Sequence, residues 1–174
     1  MSRRDDIVDA AQRLVEQEGI DALSMRRLAE TLDIQAPSLY KHVRGKDEVL
    51  GALQERALVS MREALDAAGT GIRPLARAYR AWARASPQMY RVATQIPLQR
   101  DRIEAGVEDA AARPVVDAVG GDIDRARALW ALAHGMIDLE LSQRFPPDAD
   151  LDAAWNAAVA LFEPTPSHDG AAHT

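Results

Sequence analysis

On a helix that begins near Ala36 and buries Leu39, the residues Gln35, Ser38, Lys41 and His42 stay on the exposed side. Short polar and basic side chains in that arrangement can reach phosphate oxygens and base edges without burying an unpaired group. Arg26 precedes this set and Lys46 follows it. Between Ser24 and Lys46 the cations are Arg26, Arg27, Lys41, Arg44 and Lys46, against only Glu30 and Asp33. The whole chain nevertheless carries a formal charge of -6, with 21 basic and 27 acidic residues. Its acids gather around positions 101–124 and 148–152. Total charge therefore gives nucleic-acid binding no support, and only a local basic face does.

Other chemistries lack their parts. The chain has no cysteine, which removes disulfides, thiolate metal sites and cysteine nucleophiles and suits a reducing cytoplasm. Gly69 and Gly71 make no phosphate loop, because Pro74 occupies the place of a third glycine. Asp148, Asp150 and Asp152 begin like a calcium loop, but Ala153 and Val159 stand where glycine and a bidentate glutamate are needed. His134 and Asp138 share a helix face without an identifiable third metal ligand. Ser86 and Ser142 have no nucleophile elbow around them. The expectation is no catalytic residue, no metal, no cofactor and no enzyme.

The elements that must position these groups are helical. Alanine and leucine dominate, β-branched and aromatic residues are sparse, and no convincing alternating run appears. The expected fold is all-α, with about nine helices. A first helix starts near Ser2 with the stripe Ile7, Ala11, Leu14 and Val15, and ends at Gly19. Ser24 caps a short second helix bearing Leu28, Ala29 and Leu32. Asp33-Ile34 turns tightly into a third, which starts near Ala36, tolerates Pro37 in its first turn and runs to Val43. Leu28, Leu32, Ile34 and Leu39 form their shared core.

Past Gly45 a helix carries Leu50, Leu53, Ala57, Met61 and Leu65. Pro74 opens the next, Ser86-Pro87 caps another that Pro97 ends, and 99–113 is a loop into a helix that Pro114 kinks or restarts. Asp122 caps a long helix, 123–143, and the last spans 151–162. The expected organisation is 1–47 as a helix-turn-helix domain, 48–163 as a helical ligand-binding and dimerisation domain, and 164–174 as a disordered tail. No signal-peptide h-region or membrane-spanning run is visible, so a soluble, cytoplasmic protein is expected.

The run LSMRRLAETLDIQAPSLYKHVRGKDEVL, Leu23 to Leu50, closely resembles the DNA-binding module of the TetR family of one-component regulators. The resemblance covers roughly Arg3 to Leu53 and is strongest at Leu39–Lys46. It implies that Arg26 is the supporting-helix arginine that reaches a guanine, and that Pro37 and Ser38 contact bases and thymine methyls. Tyr40 and His42 match positions near phosphates, and Lys46 the lysine that anchors one. Ala36 stands where the tetracycline repressor of that family has an adenine-reading glutamine, so the operator sequence is not carried over. Further on, WALAHG at Trp130–Gly135 followed by Leu139-Glu140-Leu141 resembles the Trp-His-Gly type of effector domain. That resemblance implies a ligand cavity among the middle helices and a dimer interface on the last two.

Bland readings stand beside these. Tyr40 is a phosphate-binding phenol or a packing aromatic, and Lys46 a phosphate anchor or a solvated lysine. Arg27 reads as a salt-bridged surface residue. Trp130 and His134, at i and i+4, line an effector site or form a satisfied core pair. Tyr79, Trp82, Met89 and Tyr90 are adaptable pocket liners or ordinary core. The function expected is a DNA-binding regulator of double-stranded DNA, a repressor released from a palindromic operator by a small-molecule effector and working as a homodimer. The alternatives are a ligand-binding protein of the same fold without operator recognition and, more remotely, a small all-α enzyme.

Overall fold

The computed structural model describes residues 3–163, so the expected start at Ser2 and the expected tail at 164–174 lie outside the described residues. Among these residues the chain forms nine α-helices and one 3-10 turn, with no strand. Helix α1 (Arg3–Glu18) buries Ile7, Ala11, Leu14 and Val15 and has Asp5 and Asp6 in its first turn, where the helix dipole favours anions. It stops at Gly19, whose φ of 85° suits glycine and whose N–H reaches the Val15 carbonyl at 2.8 Å. A 3-10 turn (Ile20–Ala22) leads to α2 (Met25–Thr31). The Ser24 hydroxyl accepts the Arg27 N–H at 3.1 Å and so caps α2.

The α2–α3 turn is a Schellman motif. The Ile34 N–H returns to the Ala29 carbonyl at 3.0 Å, and that of Asp33 to Glu30 at 3.2 Å. Asp33 sits at φ 52°, in the left-handed position usually given to glycine. The helix that follows, α3 (Ala36–Leu39), is shorter than the sequence predicts. Its continuation to Val43 is a tight turn in which the N–H groups of His42 and Val43 both bond to the Leu39 carbonyl. Gly45, at φ 154°, then redirects the chain into α4.

Helix α4 (Lys46–Ala67) is the longest and is followed by α5 (Ile72–Ala85), α6 (Pro87–Thr94), α7 (Val107–Ala118), α8 (Ile123–Leu141) and α9 (Leu151–Ala160). Two boundary expectations change. Ser86 precedes α6 without a side-chain capping bond. Helix α7 continues through Pro114 and does not restart there, although a proline has no N–H to give to the carbonyl four residues back. Asp122 caps α8 as expected, accepting from the Arg125 N–H, and Asp150, which the sequence did not single out as a cap, does the same for α9 through the Ala153 N–H.

Burial divides into two cores. One gathers Ile7, Leu14, Leu28, Leu39, Val43 and Leu53, with Leu32 and Ile34 half-buried at its rim. The other runs from Ala57 and Leu65 through Tyr79, Trp82 and Tyr90 to Ile137, Trp155 and Val159. Helix α4 contributes to both, and α6 adds Val92 to the first and Met89 and Tyr90 to the second.

Candidate nucleic-acid interface

The helix pair α2–α3 is held from beneath by α1 and the start of α4. Leu28 and Leu39 are fully buried against Ile7 and Ala11, so the opposite faces of α2 and α3 turn outward. Arg56 of α4 reaches Asp9 of α1 at 2.7 Å and Gln12 at 3.2 Å. Glu48, in the first turn of α4, accepts the Arg44 backbone N–H at 2.9 Å and the Arg4 guanidinium at 3.2 Å. The Arg44 N–H, with help from Arg4, holds the Glu48 carboxyl below the usual glutamate range. This shifted capping box fixes the turn that carries Tyr40 to Gly45, and it escaped sequence reasoning. Its visible signal was a glutamate three residues past a glycine.

Gln35, Pro37, Lys41, His42 and Lys46 are exposed; Ala36 and Ser38 are half-exposed between them. Gln35 precedes α3 without spending its amide on a cap, which leaves that group available for a base edge. Tyr40 exposes 56% of its surface; a packing aromatic would be covered, so its ring and hydroxyl face solvent beside Lys41. Lys41 and Lys46 form no ion pair among the described residues. Arg26 extends from α2 and meets Glu30 at 3.0 Å in a fully exposed i, i+4 pair. Hydrogen bonding by Arg26 lowers the Glu30 carboxyl, but a solvent-screened contact of this kind exchanges readily for a phosphate or a base. Arg27 is occupied differently, by Glu18 at 2.5 Å and Glu30 at 3.6 Å. It braces α2 to the end of α1.

The second set of sequence candidates gathers around α6. The rings of Tyr79, Trp82 and Tyr90 stand 6.1 to 6.4 Å apart, centroid to centroid, with buried Met89 in the same core. The Tyr90 hydroxyl meets His134 Nδ1 at 2.7 Å, and Trp130 stacks on His134 at 5.5 Å. Trp130 is 45% exposed, so it covers the histidine from outside and is not a core residue. Burial pushes the Tyr90 hydroxyl up to about 12 and that of Tyr79 further in the same direction. Trp82 gives its indole N–H to Ser60. The buried Tyr79 hydroxyl alone among these three has no hydrogen-bond partner among the described residues. A groove between α5 and α9, about 340 Å³ in volume, is lined by none of these six residues.

Gln54 is a further residue the sequence did not single out. It is fully buried on α4, donates to the Val92 and Pro97 carbonyls at 3.2 Å each, and accepts the Gln99 N–H at 2.9 Å. It ties the end of α6 and the loop after it to α4.

Comparison with known proteins agrees with this geometry. A family model described as "Bacterial regulatory proteins, tetR family" matches residues 7–53, and one described as "Tetracyclin repressor-like, C-terminal domain" matches 72–162. The chain is 30% identical to the HTH-type transcriptional regulator Rv0681 of Mycobacterium tuberculosis, over 98% of this chain and 86% of that protein. It is 42% identical to the class D tetracycline repressor of Escherichia coli, but over only 38% of this chain and 31% of the repressor. Among solved structures, SCO4313, a candidate regulatory protein, superposes with a TM-score of 0.75 at 26% identity, covering 91% of this chain and 94% of its own. The multidrug binding protein EbrR, solved with imidazole, has a TM-score of 0.70 at 25% identity, covering 97% and 99%.

Proposed function

Because this chain belongs to the tetR family of bacterial regulatory proteins, we propose that it represses transcription from a palindromic operator and is released by a small-molecule effector. The outward set on the α2–α3 pair carries this reading: Gln35, Ser38 and Lys41 with uncommitted side chains, flanked by Arg26 and Lys46. Helix α3 enters the major groove, with Gln35, Ala36, Pro37 and Ser38 at base edges. Tyr40, Lys41, His42 and Lys46 take phosphates, and Arg26 reads one base from the supporting helix. The Ala36 side chain has no hydrogen-bonding group and offers a base only methyl contact, so it cannot read the adenine that a glutamine would read there.

Two such surfaces are needed for a palindrome, about 34–36 Å apart. Helix α8 bears exposed Ile123 and Trp130 on one side and exposed Leu139 on the opposite side, and the end of α9 leads to exposed Leu161. These apolar groups support a homodimer through α8 and α9. Ala153 and Ala157 are exposed on α9 while Ala154 and Ala158 are half-buried, so the former pair suits close approach of a second copy. The protein acts where the chromosome is, in the cytoplasm, and no helix among the described residues is long and apolar enough to cross a membrane.

The effector site in this reading is the cluster of Tyr79, Trp82, Met89, Tyr90, Trp130 and His134. The orphaned Tyr79 hydroxyl supports it, since a buried donor without a partner costs about 1–3 kcal/mol that a ligand acceptor would recover. An effector preferring the arrangement with the wrong recognition-helix spacing shifts the population off DNA, with a typical coupling of about 1–3 kcal/mol. Titration of the protein against its gene's upstream DNA and against random DNA, across salt concentration, tests the function. A specific, salt-sensitive complex is expected, and its absence sinks the repressor reading in favour of a ligand-binding protein without operator recognition.

A further inference from the structure

Helix α5 places Arg73, Arg77, Arg80 and Arg84 at i, i+4, i+7 and i+11, along one face, and all four line the groove that α5 forms with α9. Four guanidiniums side by side in an acidic protein need an explanation, so their partners matter. Arg73 bonds Glu163 at 2.7 Å and the Asn156 side chain at 3.0 Å. Arg80 bonds Glu140 at 2.8 Å and also Asp152. Arg84, more exposed, shares the same Glu140 at 3.6 Å. Glu140 further accepts the Trp155 indole N–H at 3.1 Å, and its side chain is only 10% exposed. These four cations meet three carboxylates, Glu140, Asp152 and Glu163, of which only Asp152 lines the groove. The uncompensated charge belongs to Arg77, which has neither an ion pair nor a hydrogen bond among the described residues.

The α9 wall facing these cations sets the apolar Trp155 and Val159 beside the polar Asp152 and Asn156. Trp155 and Val159 of α9 are buried in the second core and line the groove with their outer edges, and the Arg80 guanidinium lies 5.7 Å from the Trp155 ring centroid. A volume of about 340 Å³ matches the lower end of small-ligand sites, which combine apolar walls with a few placed charges. Arginine's planar fork suits carboxylate and phosphate oxygens. Asp152, whose side chain is 84% exposed, can yield Arg80 to a competing anion.

We propose that the α5–α9 groove binds a small amphiphilic anion, its carboxylate or phosphate held by Arg77 between Arg73 and Arg80 and its apolar body lying on Trp155 and Val159. The site is separate from the aromatic cluster around Tyr90, and binding is read without DNA, so failure of the operator reading leaves it standing.

The test is isothermal titration and thermal melting of the full chain with octanoate, octyl phosphate, inorganic phosphate and octylamine. Octanoate or octyl phosphate binds and raises the melting temperature, and which of the two binds more tightly identifies the headgroup. Arg77→Gln weakens that binding by about tenfold or more, and Arg77→Glu abolishes it. Arg100→Gln, which removes an exposed cation paired with Glu108 outside the groove, leaves it unchanged. Circular dichroism verifies that each variant is folded. Absence of binding by both amphiphilic anions overturns the proposal. So does wild-type affinity in Arg77→Glu, equal binding of octylamine, or inorganic phosphate matching octyl phosphate, which would leave the Trp155 wall without a role.

Discussion

Tyr90 and Val92 lie two residues apart on α6 and belong to different hydrophobic cores. Two positions along a helix turn the side chain by about 200°, so α6 presents Tyr90 to the aromatic cluster and Val92 to the core beneath α2 and α3. Any shift of α6 is therefore felt on both sides. With α4, it is one of the two helices that contribute buried side chains to both cores.

The first prediction concerns Tyr90 itself. Its hydroxyl pKa is raised by burial from an ordinary 10.0 to about 12. A group whose native pKa exceeds its unfolded value contributes stability that is intact below the unfolded pKa and is lost as pH rises through the native one. Stability should therefore fall between about pH 10 and 12, with Tyr79 acting in the same direction. Tyr90→Phe should flatten that fall, as read by melting temperature against pH and by the ultraviolet titration of tyrosinate.

Gln54→Leu keeps the volume near that of the glutamine but strands the Gln99 N–H and two carbonyls. The expected loss is about 1–3 kcal/mol in denaturant unfolding. Hydrogen exchange should accelerate selectively at the Gln99 amide, while amides of α8 keep their protection relative to global stability.

At Gly51 two effects compete. Alanine favours helix by about 1 kcal/mol over glycine, yet a Cβ here would stand 2.5 Å from the Arg102 Cβ. That atom sits next to the backbone of the α6–α7 loop and cannot swing aside. Overpacking of about 1–3 kcal/mol should win, so Gly51→Ala lowers the melting temperature. A rise would show that the loop has room to retreat.

Lys46→Ala should weaken binding to every DNA sequence alike and lower the salt slope by about 1. Arg26→Ala should instead change preference at one base pair, with little effect on random DNA. Wild-type affinity and selectivity in both variants would remove α2 and the start of α4 from the interface.

Trp130→Glu and Leu139→Arg place charges on exposed positions of α8. Neither should change helix content, because neither side chain fills the core. Sedimentation should show the dimer converted to monomer, and operator affinity should drop with it. A dimer of unchanged stability in both variants would move the interface elsewhere.

The helices were legible in the sequence because their periodic apolar residues had to share a face: Ile7, Ala11, Leu14 and Val15 can be buried together only on an α-helix. Ser24 and Asp122 marked helix starts by the same local logic, since a short polar side chain can satisfy the first free N–H groups. The outward residues of the α2–α3 pair followed from the inward ones. The end of α3 at Leu39 was not legible, because the turn from Tyr40 to Gly45 is set by Glu48 reaching back from α4 and Arg4 from α1.

Partnerships between distant segments lay beyond the sequence for a related reason. Gln54 looked like one more polar helix residue until α6 and its following loop closed over it, and Gly51 like a weak point until Arg102 arrived beside it. Tyr90 and His134 lie 44 positions apart, and nothing in their spacing fixes which ring faces which. Local sequence determined the helical periodicity, the caps at Ser24 and Asp122 and the basic residues around α3, because those depend on neighbours within a turn or two. Only tertiary packing decided which arginines of α5 were neutralised and that Arg77 was left over, since the carboxylates that answer the others come from α8, α9 and the turn after it.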